Sequence, residues 1–267
     1  MKQNHYFKRT LSALLLLLVS TLSWAYDFEA KNADGVTIYY NLINNGEEAE
    51  VTNYNDNSNS YSGDVNIPET VVYNGKTLSV TSIGESAFED CDGLTSLTIP
   101  ESVTSIGNLA FADCDPLSSV ILSSSLTSIG KAAFMLCRNL TSITISENVT
   151  SIGERAFSGC RSLTSVYSLI ENPFEIANSV FERIADDATL YVPKGTKEAY
   201  ETTEGWAENF SRVVEFDATG IADTPAGCTE DNAVYSLNGT KMSVRNGELK
   251  SLPRGIYIVN GKKMLVE

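Results

Sequence analysis

Apolar residues recur at a fixed interval through the middle of the chain. Set out at a period of 23, residues 82 to 173 read SIGESAFEDCDGLTSLTIPESVT, SIGNLAFADCDPLSSVILSSSLT, SIGKAAFMLCRNLTSITISENVT and SIGERAFSGCRSLTSVYSLIENP. Such a repeat, with Leu-x-x-Leu-x-Ile inside it, is typical of a solenoid and predicts one strand per coil. Because a single coil leaves its apolar face uncovered, the coils must stack and the two ends of the stack need caps.

The recurring positions predict the anatomy of one coil. Leu94, Leu97 and Ile99 are separated by polar residues, as in a strand buried on one side. The small Ala87 and the ring of Phe88 indicate a short turn that closes over the interior. Gly84 indicates a tight turn, where glycine either adopts a positive φ or allows the backbone of the next coil to pack closely. One interior row of rings is therefore predicted, formed by Phe88, Phe111, Phe134 and Phe157.

A cysteine column accompanies the rings, and it has three interpretations. Its members are Cys91, Cys114, Cys137 and Cys160. A zinc site normally uses closely spaced pairs, which a spacing of 23 residues does not provide. Disulfides between coils are conceivable at a stacking distance of ~5 Å, but parallel side chains point in the wrong mutual direction. The pattern favours buried thiols that act as small hydrophobes.

The motif SIGxxAFxxCxxLTSxTIPxSVTSIG resembles the BspA-like leucine-rich repeats, a class found in secreted and surface proteins of host-associated microbes. The resemblance extends over residues 65–217, with degenerate repeats at its end. It implies a right-handed repeat solenoid, mainly β with short turns and helical segments, closed by β caps. It also implies adhesion to host proteins or surfaces.

The first 25 residues predict a cleaved secretory signal peptide. Lys2, Lys8 and Arg9 precede a short apolar run, and Ser23 and Ala25 supply small residues before a cleavage point at Tyr26. The predicted domains are 1–25 signal peptide, 26–64 N-terminal β cap with a hairpin, 65–170 repeats, 171–217 degenerate repeats and cap, 218–232 linker, and 233–267 small β module.

The C-terminal module is predicted from two Asn-Gly turns. VYSL-NG-TKMS and IYIV-NG-KKML each place Asn-Gly between short strands, which is a strong hairpin signal. The segment resembles a type IX secretion sorting domain, although it is short for one. A β appendage without a sorting role is the alternative. Cys228, in the linker, could be an exposed thiol or form an intermolecular bridge, and exposure is favoured.

Composition excludes several classes of function. After residues 1–25 are removed, 16 basic residues stand against 34 acidic ones, a net charge of −18. Nucleic acid and anionic membrane are therefore poor partners. The only histidine, His5, leaves with the signal peptide, which excludes Ser-His-Asp, Cys-His and His-ligated zinc chemistry. The sequence predicts no cofactor and no metal.

The outward side of the strands predicts a binding site on a concave sheet. Its residues are Ser96, Thr98, Ser119, Ile121, Ser142, Thr144, Ser165 and Tyr167. None is charged, so this face lacks the two converging carboxylates that a glycosidase needs. The hydroxyl groups could bond a glycan or an extended peptide, yet Ser and Thr are also ordinary solvent-facing strand residues.

Three smaller features each have two interpretations. Asp56 and Asp64 could bind calcium, but their spacing fits a solvated turn better. Trp206 and Phe210 could form a sugar platform, but a cap over the last coil is favoured. Basic residues of the later coils could dock an acidic partner or only maintain solubility. They are Lys131, Arg138, Arg155 and Arg161.

Together these features predict a secreted or cell-surface binding protein rather than an enzyme. Its partners would be a host or microbial surface protein or a glycan, with membrane contact only through surface attachment. A self-associating scaffold of the cell envelope is the alternative, and a hydrolase that uses Asp or Glu alone is a third hypothesis. The oligomeric state and the ligand stay open.

Overall fold

The stacked coils form a β-solenoid of about six turns with almost no helix, which confirms the predicted fold class. The computed structural model describes residues 26–54, 60–216, 234–236, 241–242, 255–259 and 262–266. The predicted signal peptide and Asp56 lie outside the described residues.

The N-terminal part of the chain contains a hairpin whose sheet continues into the coils, and it includes the first six strands. Its elements are β1 (Phe28–Lys31), β2 (Thr37–Ile43), a 3-10 turn (Asn44–Gly46), β3 (Glu48–Thr52), β4 (Ser62–Asn66), β5 (Thr70–Tyr73) and β6 (Lys76–Ile83). As predicted, β2 and β3 run antiparallel. β3 then pairs in parallel with β6, so the edge of the first coil is covered rather than open.

The coils carry two sets of parallel strands, so the prediction of one strand per coil is wrong. The leucine-rich strands are β7 (Gly93–Thr98), β9 (Ser119–Ile121), β11 (Ser142–Ile145) and β13 (Ser165–Ser168). The Ser-Ile strands are β8 (Ser105–Ile106), β10 (Ser128–Ile129) and β12 (Ser151–Ile152). A two-residue strand is too short to show alternation. These short strands are held in place by backbone hydrogen bonds between coils, such as the bond from Gly130 N–H to Ile106 O at 2.8 Å.

The last coils add β14 (Thr189–Pro193), α1 (Lys197–Thr202) and β15 (Arg212–Phe216). The leucine-rich strands thus form two ladders, β4-β7-β9 and β11-β13-β14-β15. The Ser-Ile strands continue the cap sheet in the order β1-β2-β3-β6-β8-β10-β12, with β5 paired to β6. The pairings between the regular coils are parallel and in register, so equivalent side chains form columns. The pairings that enter the stack, β3 with β6 and β4 with β7, are parallel but each contains a register shift.

The phenylalanine of each coil lies in one buried row, as predicted. Centroids of successive rings are 4.9 Å apart from Phe88 to Phe111 to Phe134, and 5.3 Å apart from Phe134 to Phe157. Phe181 of the next coil extends the row at 5.2 Å. The solenoid interior is therefore a continuous aromatic stack.

Aromatic side chains also close both ends of the row. Tyr61 covers Phe88 at the N-terminal end, with centroids 4.3 Å apart. Trp206 and Phe210 are buried against Phe181, with centroids 5.7 and 5.0 Å from it. The cap interpretation of Trp206 and Phe210 is thus confirmed, and the sugar platform is wrong because neither ring face reaches solvent.

The cysteine column consists of buried thiols, not disulfides. Cys114, Cys137 and Cys160 each donate the thiol hydrogen to the carbonyl of the phenylalanine one coil earlier, at 2.9 to 3.1 Å. Burial raises the pKa of Cys160 to about 12, which keeps the thiol protonated. The thiols therefore join adjacent coils by hydrogen bonds as well as filling space.

The turn between the two strands of a coil places mostly non-glycine residues in the left-handed region; Gly159 is the one glycine among its eight described positions. Its left-handed positions are Ser86, Asp90, Leu109, Asp113, Ala132, Leu136, Arg155 and Gly159. Hydrogen bonds between coils fix this backbone, for example Phe111 N–H to Ala133 O at 2.7 Å. Gly84 and its equivalents have no positive φ; their role is to let neighbouring backbones approach.

The C-terminal module contains the two predicted hairpins. Its strands are β16 (Val234–Ser236), β17 (Lys241–Met242), β18 (Gly255–Val259) and β19 (Lys262–Val266). β16 pairs antiparallel with β17, and β18 pairs antiparallel with β19. They form a sheet in the order β17-β16-β18-β19. The linker 218–232, with Cys228, lies outside the described residues.

Candidate binding face

The strand face, defined as the outward side of the two leucine-rich ladders, contains all eight predicted binding residues. Paired residues on parallel strands point to the same side, so the eight form two rows. The pairs are Ser96 with Ser119, Thr98 with Ile121, Ser142 with Ser165, and Thr144 with Tyr167. The rows are divided in the middle, because β9 and β11 belong to different ladders.

Alternation separates this face from the core as predicted, but exposure along it is uneven. The residues that alternate with the predicted ones, such as Leu97 and Val166, are buried. Seven of the eight predicted residues are partly exposed. Ser142 is an exception because it is buried at 7% exposure, so its hydroxyl contributes little accessible surface. The Thr144 hydroxyl is also buried and has no hydrogen-bond partner.

Asp64 is a face residue that the sequence did not assign to the binding rows. It pairs with Ser96 across β4 and β7. Its carboxylate accepts hydrogen bonds from Ser96 Oγ at 2.7 Å and Thr95 Oγ1 at 2.8 Å, which lowers the pKa of Asp64. Asp64 is therefore an ionised acceptor that holds two hydroxyl groups in place. It is not arranged as a proton donor.

An aromatic cluster occupies the other end of the face. Tyr191 on β14 pairs with Tyr167, and their rings stack at 4.6 Å with planes 12° apart. Phe216 on β15 reaches back so that its ring lies 6.2 Å from Tyr167 at 75°. Burial, with a smaller contribution from Tyr191, raises the pKa of Tyr167 and so keeps its phenol neutral. Tyr191 and Phe216 lie beyond the regular 23-residue spacing, so the period could not identify them.

Basic residues of the third coil pair with carboxylates of the neighbouring coils. Arg138 lies 2.5 Å from Asp115 and 3.8 Å from Asp113. Lys131 lies 3.1 Å from Glu154. Two of the four basic residues predicted to form a docking ridge thus face carboxylates of the same molecule, which weakens the ridge as a site for an acidic partner.

Carboxyl groups with a shifted pKa and clusters of metal-ligating side chains are the features that acid–base or metal chemistry would need. Burial, together with Asp90, raises the pKa of Asp113, but this carboxyl lies at a turn rather than on the strand face. Residues 26–54 and 60–216, with the C-terminal strands, contain no group of three His, Cys, Asp or Glu side chains that could hold a metal ion.

Among the residues that the structure describes, no helix has both the length and the apolar character that are needed to cross a membrane.

Comparison with known proteins places this geometry in a family. The BspA type leucine-rich repeat region matches residues 57–186 in six copies. A leucine-rich repeat protein from Bacteroides capillosus is 36% identical over 53% of this chain and 99% of that chain, with a TM-score of 0.44. A leucine rich cell surface protein from Faecalibacterium prausnitzii is 21% identical over 81% and 60% of the two chains, with a TM-score of 0.40.

The pneumococcal vaccine antigen PcpA shares the fold at a TM-score of 0.50, with 18% identity over 71% of this chain and 48% of that chain. No curated protein matches the sequence. The matches indicate repeat proteins and no catalytic family. The six matched copies include the four stacked repeats and the coils that flank them. Residues 57–186 thus form a BspA type leucine-rich repeat region, and the chain belongs to the leucine-rich repeat proteins.

Proposed function

We propose that the protein is a secreted or cell-surface binding protein whose strand face holds a host or microbial surface protein or a glycan. The observation that supports this most is that the eight uncharged side chains form in-register rows within each ladder and that seven of them are partly exposed. Their backbone is fixed by the core on the other side, so a ligand would meet a pre-ordered surface at little cost in conformational entropy. The BspA-type family, whose members are usually secreted or surface proteins, is compatible with this role.

A matched pair of serine substitutions tests the face. Ser119 lies on the strand face, whereas its neighbour Ser118 is exposed just before the strand. Ser119→Arg should weaken binding at least about tenfold by placing a long charged side chain in the row. Ser118→Arg adds the same charge and should bind like the unmodified chain. The measurement is binding of the full mature chain to arrays of glycans and extracellular-matrix proteins, followed by titration of each ligand found.

The same experiment separates the competing functions. Equal binding by both arginine variants would exclude the strand face as the site. Absence of any ligand, together with strong concentration-dependent light scattering, would favour the self-associating scaffold. Turnover of a polysaccharide that disappears on replacing one carboxylate would favour a hydrolase.

Export and surface retention form the second part of the proposal. We infer that residues 1–25 direct secretion and that residues 233–267 act as a short sorting signal of the type IX kind. The support for the latter is that β16 to β19 pair with one another in a sheet of their own. Deleting 233–267 should leave the protein folded but retained inside the outer membrane of its producing cell. Unchanged surface localisation in fractionated cells would instead show that the module is an appendage.

A further inference from the structure

We propose that Tyr167, Tyr191 and Phe216 form a subsite for an uncharged sugar residue, which makes a neutral glycan the ligand of the strand face. This inference rests on the proposed binding function and adds the chemical class of the ligand. The three rings lie on the solvent side of their ladder, opposite the buried Val166 and Leu190. They are separate from the row of phenylalanines that fills the interior.

The first support is the shape of the cluster. Tyr167 and Tyr191 stand nearly parallel, with centroids 4.6 Å apart, while the plane of Phe216 is turned 75° from that of Tyr167. The three side chains come from three adjacent strands of one ladder, so their backbones are held in register. Because the rings contact one another and each is partly exposed, they form one apolar patch against which a small flat ligand can lie.

The second support is the chemistry around the rings. The neighbouring face residue Ser165 is uncharged and partly exposed. The nearby carboxylate of Glu215 already accepts hydrogen bonds from Gly195 N at 2.9 Å and Lys197 N at 3.1 Å. A pyranose ring has apolar C–H faces bordered by hydroxyl groups. Phenol rings and hydroxyl side chains match both parts, because they combine apolar surface with groups that donate and accept hydrogen bonds.

Charge selects among glycans. The chain carries a net charge of −15, and −18 without residues 1–25. Such a molecule repels uronic acids and sulfated sugars at long range. Along the described row that runs from Ser165 through Thr189 to the last strand, Arg212 is the only basic side chain. A neutral glycan meets no such barrier.

Size distinguishes a sugar from a protein partner at this subsite. Three aromatic side chains expose at most about 450–750 Å² in total even when none is packed. Here all three rings are already partly buried. A stable protein interface needs about 800 Å² from each partner, so the cluster alone is too small for one. It is adequate for one or two sugar residues that continue along the hydroxyl rows.

The test uses the full chain and arrays of neutral polysaccharides with their uronate or sulfated counterparts. Neutral glycans should bind and the acidic ones should bind at least about tenfold more weakly. Tyr191→Ala should weaken binding of the neutral glycan about tenfold, because it removes one ring of the stacked pair. Tyr191→Phe keeps the ring and should lose less. Tyr54→Ala is the matched control, since Tyr54 is 43% exposed in the N-terminal cap, away from the cluster.

Thermal unfolding of each variant is measured in parallel. If Tyr191→Ala does not fold, Phe216→Ala on the last strand of the ladder replaces it, with the same expected loss. Equal binding of a neutral glycan by Tyr191→Ala, Phe216→Ala and the unmodified chain would overturn the subsite. Binding only to a protein that Ser119→Arg abolishes would overturn it too, while leaving the proposed function intact. Absence of every ligand would overturn both.

Discussion

Replacing Phe134 by alanine should lower the free energy of unfolding by about 3–5 kcal/mol. The ring is fully buried and stacks between Phe111 at 4.9 Å and Phe157 at 5.3 Å. Its removal leaves a cavity in the middle of the aromatic row, and both neighbours lose contacts on one face. The coils on either side are held by hydrogen bonds between them, so they cannot collapse freely to fill the space.

Urea denaturation of the full chain, followed by circular dichroism, measures this loss. Val72→Ala shortens an apolar side chain that is 63% exposed, and it should change stability by no more than about 0.5 kcal/mol. Because each coil contacts only its neighbours, the Phe134 variant should also unfold over a broader urea range as the two halves uncouple. A loss below about 1 kcal/mol would mean that the row is not the centre of the core.

The sequence was sufficient to predict the interior because repetition amplifies a weak signal. One AFxxC segment has no distinctive meaning, but four at a constant interval place Phe88, Phe111, Phe134 and Phe157 in the same environment. Parallel stacking in register then follows, since any other arrangement would bring unlike positions together. The buried thiols follow from the same reasoning. Their hydrogen bonds to carbonyls one coil earlier do not, because they depend on backbone geometry.

The left-handed turn residues could not be predicted from the sequence. A positive φ is expected at glycine, yet Leu109, Ala132 and Arg155 adopt it while Gly130 does not. Such strain of about 1–3 kcal/mol per residue persists only where the surroundings over-determine the backbone. Here hydrogen bonds between coils do so, and these contacts are invisible in any single repeat.

The sequence predicted which side of the strands faces outward, but not which residues there are accessible or clustered. Alternation correctly places Ser119 and Thr144 outward, because side chains alternate along a strand. The break between β9 and β11, the burial of Ser142 and the aromatic cluster arise from how the ladders meet. Tyr191 lies 24 residues after Tyr167, where the period fails. Candidate binding residues at the end of a repeat array therefore cannot be identified from the repeat period alone.

Gly130→Ala should destabilise the protein by about 3 kcal/mol, the upper end of the usual cost of overpacking. Glycine is required here by close approach rather than by φ. A Cβ on Gly130 would collide with the carbonyl group of Gly107 and would lie 2.6 Å from Asn108 N. Both obstacles are backbone atoms, which cannot rotate away as a side chain could. Relief would require the third coil to move off the second, breaking the Gly130 N–H bond to Ile106 O.

Gly195→Ala is the control that separates steric collision from backbone strain. Gly195 has φ +86°, and a Cβ there would meet no atom within 4 Å. Its substitution should therefore cost only about 1–2 kcal/mol, the price of a left-handed alanine. The two variants are compared by urea denaturation of the full chain. If Gly130→Ala proves no more costly than Gly195→Ala, the coils do not approach each other through the glycine column, and another contact must set the spacing of the solenoid.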